Sequence, residues 1–167
     1  MKKIRILIAD DHPIVREGYK KILTSQPDMD VTGEAGNGQE VLDLIQKKDF
    51  ELILLDISMP GRSGLEILKE LRSRKPHLPV MILSIYPEEQ YAVRAFRDGA
   101  SGYLTKASTP KELISAIRKV SQGGRYVTEA LAEKLTYFLH GDADKVPHEK
   151  LSDREYQVML LIASERR

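Results

Sequence analysis

Short aliphatic runs alternate with stretches whose apolar residues recur every three or four positions, and the alternation continues to about residue 122. The segments IRILIA (4–9), DVTGEA (30–35), LILL (52–55), PVMIL (79–83) and SGYL (101–104) read as strands. LILL is apolar throughout, the pattern of a strand covered on both faces rather than half exposed. Strands separated by helices need crossover connections, so the chain is confined to a parallel sheet with helices packed above and below it.

The helical stretches carry their own start and stop signals. Pro13 suits a first helical position with Asp11 or His12 as the cap, and Ile14, Gly18 and Ile22 then share a face. Asn37 can cap a second helix in which Val41, Leu42 and Ile45 turn inward, and Leu65, Leu68 and Leu71 do the same in a third. A fourth carries Ala92, Ala95 and Phe96 and stops at Gly99, a residue suited to a left-handed terminator. Leu113, Ile114, Ile117 and Val120 mark a fifth. The expected fold class is α/β, a five-stranded doubly wound parallel sheet.

Composition narrows the chemistry. A chain of 167 residues can bury one substantial core with length to spare, and 41% hydrophobic with 31% charged residues is an ordinary balance. The absence of cysteine excludes disulfides, thiolate metal sites and cysteine nucleophiles. A net charge of +1 gives no global attraction to nucleic acid. The opening MKKIRILIADD has too short an apolar run for a signal peptide or membrane span, so a cytoplasmic location with no membrane association is expected.

Polar residues then stand where an α/β sheet places its ligands, beyond the carboxyl ends of the strands near the point where strand order reverses. The first strand ends in Asp10 and Asp11 and the third runs into Asp56. In a 2-1-3-4-5 order these strands are neighbours, so three carboxylates converge. Singly, Asp11 reads as a helix cap, Asp10 as a solvated loop residue and Asp56 as a turn former. Together they repel unless a cation intervenes, and an all-oxygen set with room for phosphate favours Mg²⁺. Ser84 after PVMIL and Lys106 after SGYLT add a hydroxyl donor and a fixed positive charge at two further strand ends.

On the segments ADDHP (9–13), LLDISMPGRSGLE (54–66), LS (83–84) and GYLTKAS (102–108), the chain resembles a two-component response regulator. The resemblance covers roughly the first 120 residues and implies a flavodoxin-like receiver. It implies that Asp56 accepts a phosphoryl group from a sensor histidine kinase, and that Asp10, Asp11, Asp56 and the Ser58 backbone carbonyl hold Mg²⁺. Lys106 would contact the phosphoryl group, Ser84 would be the switch hydroxyl and Tyr103 the switch aromatic, with Ser58 and Tyr86 tuning the lifetime of the acyl phosphate. Such a receiver assists its own phosphorylation and slow dephosphorylation without being a turnover enzyme, and dimerisation on phosphorylation is expected by resemblance alone. Many receivers follow the lysine with a cis proline; Ala107 stands here, and a non-proline cis bond costs about 2.5–4 kcal/mol, which leaves that peptide open.

Beyond Gln122 the pattern changes. Residues 123–150 read as a linker with a helix near 128–139, capped by Thr128 and striped with Leu131, Leu135, Phe138 and Leu139; packing on the receiver is the simpler expectation for it than a dimer seam. LSDREYQVMLLIAS, with Ser152 and Glu155 at capping-box spacing, resembles the opening helix of a LuxR-type helix-turn-helix domain of NarL/FixJ regulators. The expected domains are therefore a receiver over 1–122, the linker, and the start of a DNA-binding domain over 151–167. This reads as a truncated effector: sequence-specific DNA binding is expected of the longer parent but not of this chain, which lacks a recognition helix.

Three rival readings differ on single features. A haloacid dehalogenase-type phosphatase places a second aspartate two residues after its nucleophile, where Ser58 stands. A flavodoxin-like cofactor protein needs a phosphate-binding loop after the first strand, where Asp10 and Asp11 would repel phosphate. A stand-alone receiver acting through protein–protein contact is the alternative that the site itself does not exclude.

Overall fold

The structure is a computed structural model, and it describes residues 2–140. Five strands, β1 (Ile4–Ala9), β2 (Met29–Ala35), β3 (Leu52–Asp56), β4 (Val80–Ser84) and β5 (Gly102–Thr105), form one sheet in the order β2-β1-β3-β4-β5. Every pairing is parallel. Among the described residues six helices, α1 (Pro13–Thr24), α2 (Gly38–Lys47), α3 (Gly64–Arg74), α4 (Glu88–Arg97), α5 (Pro110–Ser121) and α6 (Glu129–His140), accompany it. The five-stranded parallel sheet expected from the alternation is therefore present, in the 2-1-3-4-5 order of the flavodoxin-like receiver that the chain resembles. Among the described residues no helix is long and apolar enough to cross a membrane.

Alternation along the strands builds two cores. Leu7, Ala9, Ile53, Leu55, Val80, Ile82 and Tyr103 face α2, α3 and α4, whose Val41, Leu42, Ile45, Leu65, Leu68, Leu71, Ala92, Ala95 and Phe96 are buried against them. Ile6, Ile8, Leu52, Leu54, Met81, Leu83 and Leu104 face the other way, toward Leu23 of α1 and Leu113, Ile117 and Val120 of α5. β3 is buried along its whole length, which is why its sequence shows no polar alternation.

Local signals fix the helix starts. Asn37 accepts a hydrogen bond from the Glu40 amide (2.9 Å), Ser63 from Glu66 (3.3 Å), and Thr109 and Glu112 form a reciprocal capping box. Gly99 ends α4 at φ +104°, the left-handed backbone that favours glycine. One helical reading is corrected. Ile14 is 86% exposed and Gly18 is exposed, while Tyr19, Ile22 and Leu23 pack against the core. Apolar residues at 14, 15, 19, 22 and 23 fit two helical phases one residue apart, and the buried phase is the second.

Past α5, Tyr126 bridges to Gly102 at the edge of the sheet, and its amide donates to the Ser101 carbonyl (2.9 Å). The Thr128 hydroxyl accepts from the Leu131 amide (3.2 Å) and bonds the Glu88 carboxylate of α4 (2.8 Å). Leu131 is buried in the α4-side core, so the expectation that this helix packs on the receiver holds. The remainder of the expected linker, from residue 141, and the helix-turn-helix fragment over 151–167 lie outside the described residues.

Candidate functional site

Three strand ends repeat one local motif, in which a side chain accepts a hydrogen bond from the amide two residues on. Asp10 Oδ1 takes the His12 amide (2.9 Å), Asp56 Oδ1 the Ser58 amide (3.2 Å) and Ser84 Oγ the Tyr86 amide (3.0 Å). Each residue is thus the turn former that its position suggests. Each is also buried, at 2%, 4% and 1% exposure, which a solvated turn does not require. The reading of Asp10 taken singly, as a solvated loop residue, is corrected by this burial.

The side chains converge because the strands are adjacent. Asp56 pairs in register with Leu83, and Ser84 with Thr105. The Lys106 amide donates to the Ser84 carbonyl (2.7 Å), which draws the end of β5 against β4. Its ammonium bridges two carboxylates, donating to Asp10 Oδ2 at 2.6 Å and to Asp56 Oδ2 at 3.1 Å. The peptide between Lys106 and Ala107 is trans. Close approach of backbone fixes the far side of the pocket: a Cβ on Gly64 would stand 2.2 Å from the Asp56 carbonyl oxygen, and the Gly64 amide donates to Ile57 (2.8 Å).

Electrostatics follow from burial. Desolvation pushes the Asp56 carboxyl up to about 6; the nearby Lys106 charge opposes that rise and Asp10 reinforces it. Burial alone would lower Lys106, but its hydrogen bonds and attraction to Asp10 and Asp56 outweigh it and the ammonium is held above its ordinary value. Burial also raises the Tyr103 phenol, against a smaller opposing pull from a hydrogen bond with Ser84.

A donor set for a hard cation is present. Asp10, Asp11, His12 and Asp56 each offer a ligand atom, all within 4.8 Å of one another. Asp11 Oδ1 is buried without a hydrogen bond; it stands 2.9 Å from His12 Nδ1, which is also 3.1 Å from Asp10 Oδ1. Carboxylate oxygens, one of them unsatisfied, fit Mg²⁺ better than any softer metal. Ser58 is exposed at the rim, two residues beyond Asp56.

Tyr103 lies buried in β5 opposite Ile82, two residues before the Ser84–Thr105 pair, and its hydroxyl donates to the Tyr86 carbonyl (2.9 Å). Tyr86 in turn packs its ring on Tyr91 of α4, with centroids 5.0 Å apart. Ser84, Tyr86 and Tyr103 are thereby joined in one hydrogen-bonded chain.

Two residues at the site were not evident as site residues in the sequence. His12 reads only as a cap, yet its side chain sits on both carboxylates and makes no capping hydrogen bond. Arg16 lies in the first turns of α1, where a cation opposes the helix dipole. That mismatch was the one available sign that it has a local partner.

Residues 6–118 match the model of the response regulator receiver domain. The chain belongs to this receiver family of two-component signalling, whose regulation depends on phosphorylation. It is similar to the uncharacterized transcriptional regulatory protein YxjL of Bacillus subtilis strain 168, 40% identical over 133 residues that cover 80% of this chain and 61% of YxjL. It is also similar to the nitrate/nitrite response regulator protein NarL of Escherichia coli K12, 36% identical over 160 residues that cover 95% of this chain and 74% of NarL. Among solved structures, a LuxR-family two-component response regulator from Aurantimonas sp. SI85-9A1 superposes with a TM-score of 0.75 at 32% identity, covering 83% of this chain and 99% of that one.

Proposed function

We propose that residues 1–122 form a cytoplasmic receiver that accepts a phosphoryl group on Asp56 from a phosphohistidine of a sensor histidine kinase, and that the phosphorylated receiver controls transcription in a longer protein. The observation that carries this reading is the Lys106 ammonium bridging Asp56 and Asp10 in a buried pocket, with the Ser84 hydroxyl at the next strand end. The name of YxjL, a transcriptional regulatory protein, supports the genetic output. A linker over 123–150 and the opening fragment of a LuxR-type DNA-binding domain over 151–167 belong to this proposal.

Asp10, Asp11, Asp56 and the Ser58 carbonyl would hold Mg²⁺, and His12 lies against the first two. When bound, the ion supplies positive charge that offsets the acidic cluster and the incoming phosphoryl oxygens. An Asp56 oxygen attacks phosphorus; the P–N bond to the kinase histidine breaks as the P–O bond forms, and the imidazole takes a proton from solvent. The Ser58 amide orients the nucleophile from one side and Lys106 from the other. Lys106 then bonds the phosphoryl oxygens, a role suited to a point charge on a long arm.

Ser84 carries the signal onward. Its hydroxyl moves to donate to a phosphoryl oxygen, which draws Oγ away from the Tyr86 amide, alters the carbonyl on which Tyr103 rests and leaves space for the Tyr103 ring to fill. The same loop leads into α4, against which α6 is seated through Glu88 and Thr128. Dimerisation on phosphorylation is part of this proposal. The test is intact mass after exposure to acetyl phosphate. One phosphoryl group per chain is expected only with Mg²⁺ present and none on the Asp56→Asn variant; labelling of that variant at the wild-type rate would overturn the assignment.

A further inference from the structure

Arg16 reaches from α1 back over the turn that carries the acidic pair. Its Nη1 donates to the Asp10 carbonyl at 2.5 Å, while its Nε forms an ion pair with Glu34 Oε1 on β2 at 3.4 Å without a hydrogen bond. Glu34 is held a second time by Lys20 (3.3 Å). On its other side, the Asp10 amide donates to the Ala35 carbonyl of β2 (2.9 Å). Asp10 is therefore gripped at both its N–H and its C=O, directly by β2 and through a guanidinium anchored to β2.

That carbonyl belongs to the planar peptide joining Asp10 to Asp11. Holding its oxygen fixes the plane, and the plane sets the direction in which the Asp11 side chain leaves the backbone. The two carboxylates need this help unequally. Asp10 already receives the His12 amide and the Lys106 ammonium, whereas the buried Asp11 Oδ1 accepts no hydrogen bond and has only the His12 ring nitrogen at 2.9 Å, which it shares with Asp10. Helix formation does not account for Arg16, since a cation in the first turns of α1 opposes the dipole.

We propose that Arg16 is the positioning residue of the divalent-cation site, orienting Asp11 through the Asp10–Asp11 peptide. The proposal rests on the reading of this cluster as the cation site of phosphoryl acceptance. It makes a prediction of opposite sign to simple charge repulsion. If Arg16 were only a nearby positive charge, removing it would tighten Mg²⁺ binding; if it positions Asp11, removing it weakens binding. Loss of a residue that orients a metal ligand lowers affinity by about 10–100-fold.

The experiment titrates MgCl₂ into wild type, Arg16→Ala and Arg16→Lys, followed by backbone amide NMR shifts, with acetyl phosphate labelling run in parallel. For Arg16→Ala the Mg²⁺ Kd should rise about tenfold or more. The half-saturating Mg²⁺ for labelling should rise with it, while the rate at saturating Mg²⁺ stays near wild type. Arg16→Lys keeps the charge, but one ammonium lacks the guanidinium's fork to hold the carbonyl and Glu34 together, so its affinity should fall as well. If Arg16→Ala does not fold, Arg16→Lys decides by the same criterion. An unchanged or tighter Kd in a folded variant overturns the proposal. Failure of wild type to bind Mg²⁺ and take phosphate overturns the functional reading beneath it, whereas a normal wild type with unaltered variants overturns the positioning role alone.

Discussion

The two ends of the sheet treat charge in opposite ways. At the amino end, pairs close well at half-exposed positions. Arg5 Nη2 meets Glu51 Oε1 at 2.7 Å while its Nε and amide share the same carboxylate, and Arg118 forks onto Asp28 at 2.9 and 3.1 Å. Hydrogen bonds from these arginines hold the Glu51 and Asp28 carboxyls below their usual range. At the carboxyl end, charge is buried, and Asp56 is driven up to about 6 by loss of solvent despite its contact with Lys106. The first arrangement favours the folded state; in the second the Asp56 charge is disfavoured, although its partner Lys106 is held charged. An unfavourable buried carboxylate at the topological switch point marks that end as the candidate functional site.

The largest expected effect comes from the backbone that shapes the costly end. Gly64→Val would place a side chain into the Asp56 carbonyl, a contact with backbone that no rotamer relieves. A loss of at least about 3 kcal/mol in urea unfolding is expected. A matched substitution at exposed Gly18, which has nothing within 4 Å of its Cβ position, should show no comparable loss.

Next in size is the carboxylate itself. The folded Asp56 keeps its proton to about pH 6, whereas an unfolded aspartate loses it near the ordinary 3.8, so the native state binds more protons in that window. Stability of the metal-free protein contributed by this group should therefore fall as pH rises from about 4 to about 6. Asp56→Asn removes the penalty and should be more stable than wild type by about 2–3 kcal/mol at pH 7, with the difference vanishing near pH 4. Denaturation midpoints across that range check it.

The smallest effect belongs to the amino end and has the reverse pH dependence. Glu51 has a depressed pKa in the fold, so its contribution is present above the unfolded value and is lost as pH falls through the folded one. Glu51→Gln should lower the unfolding midpoint slightly at neutral pH, by less as salt is raised, and not at all in strong acid. A midpoint shift rivalling that of Gly64→Val would erase the contrast between the two ends.

Much of this asymmetry was legible in the sequence, because strand ends in an α/β sheet are readable as positions. Asp56 and Ser84 even proved to be the last residues of their strands, where the apolar runs had suggested that the strands stopped one residue earlier. The phase of α1 was not legible, since Gly18 offers no side chain to separate one helical face from the next. Nor was the double duty of Asp10, Asp56 and Ser84: turn-forming and convergence looked like alternatives, and the structure makes them one arrangement. Arg16 stayed hidden because its partners are a carbonyl and a carboxylate on other elements, and sequence spacing carries no sign of either. Gly64 stood in view within SGLE, but only the fold shows that it lies against the Asp56 carbonyl.

The most direct test of the contrast is urea unfolding at pH 7 of wild type and Asp56→Asn, each with and without Mg²⁺. Without Mg²⁺ the variant should be the more stable protein. With Mg²⁺ at ten times its Kd, wild type should gain about 1.4 kcal/mol and the variant much less, so the gap narrows. Equal stabilisation of both proteins, or a variant less stable than wild type before Mg²⁺ is added, would contradict the claim that Asp56 is a buried charge kept for a cation and a phosphoryl group.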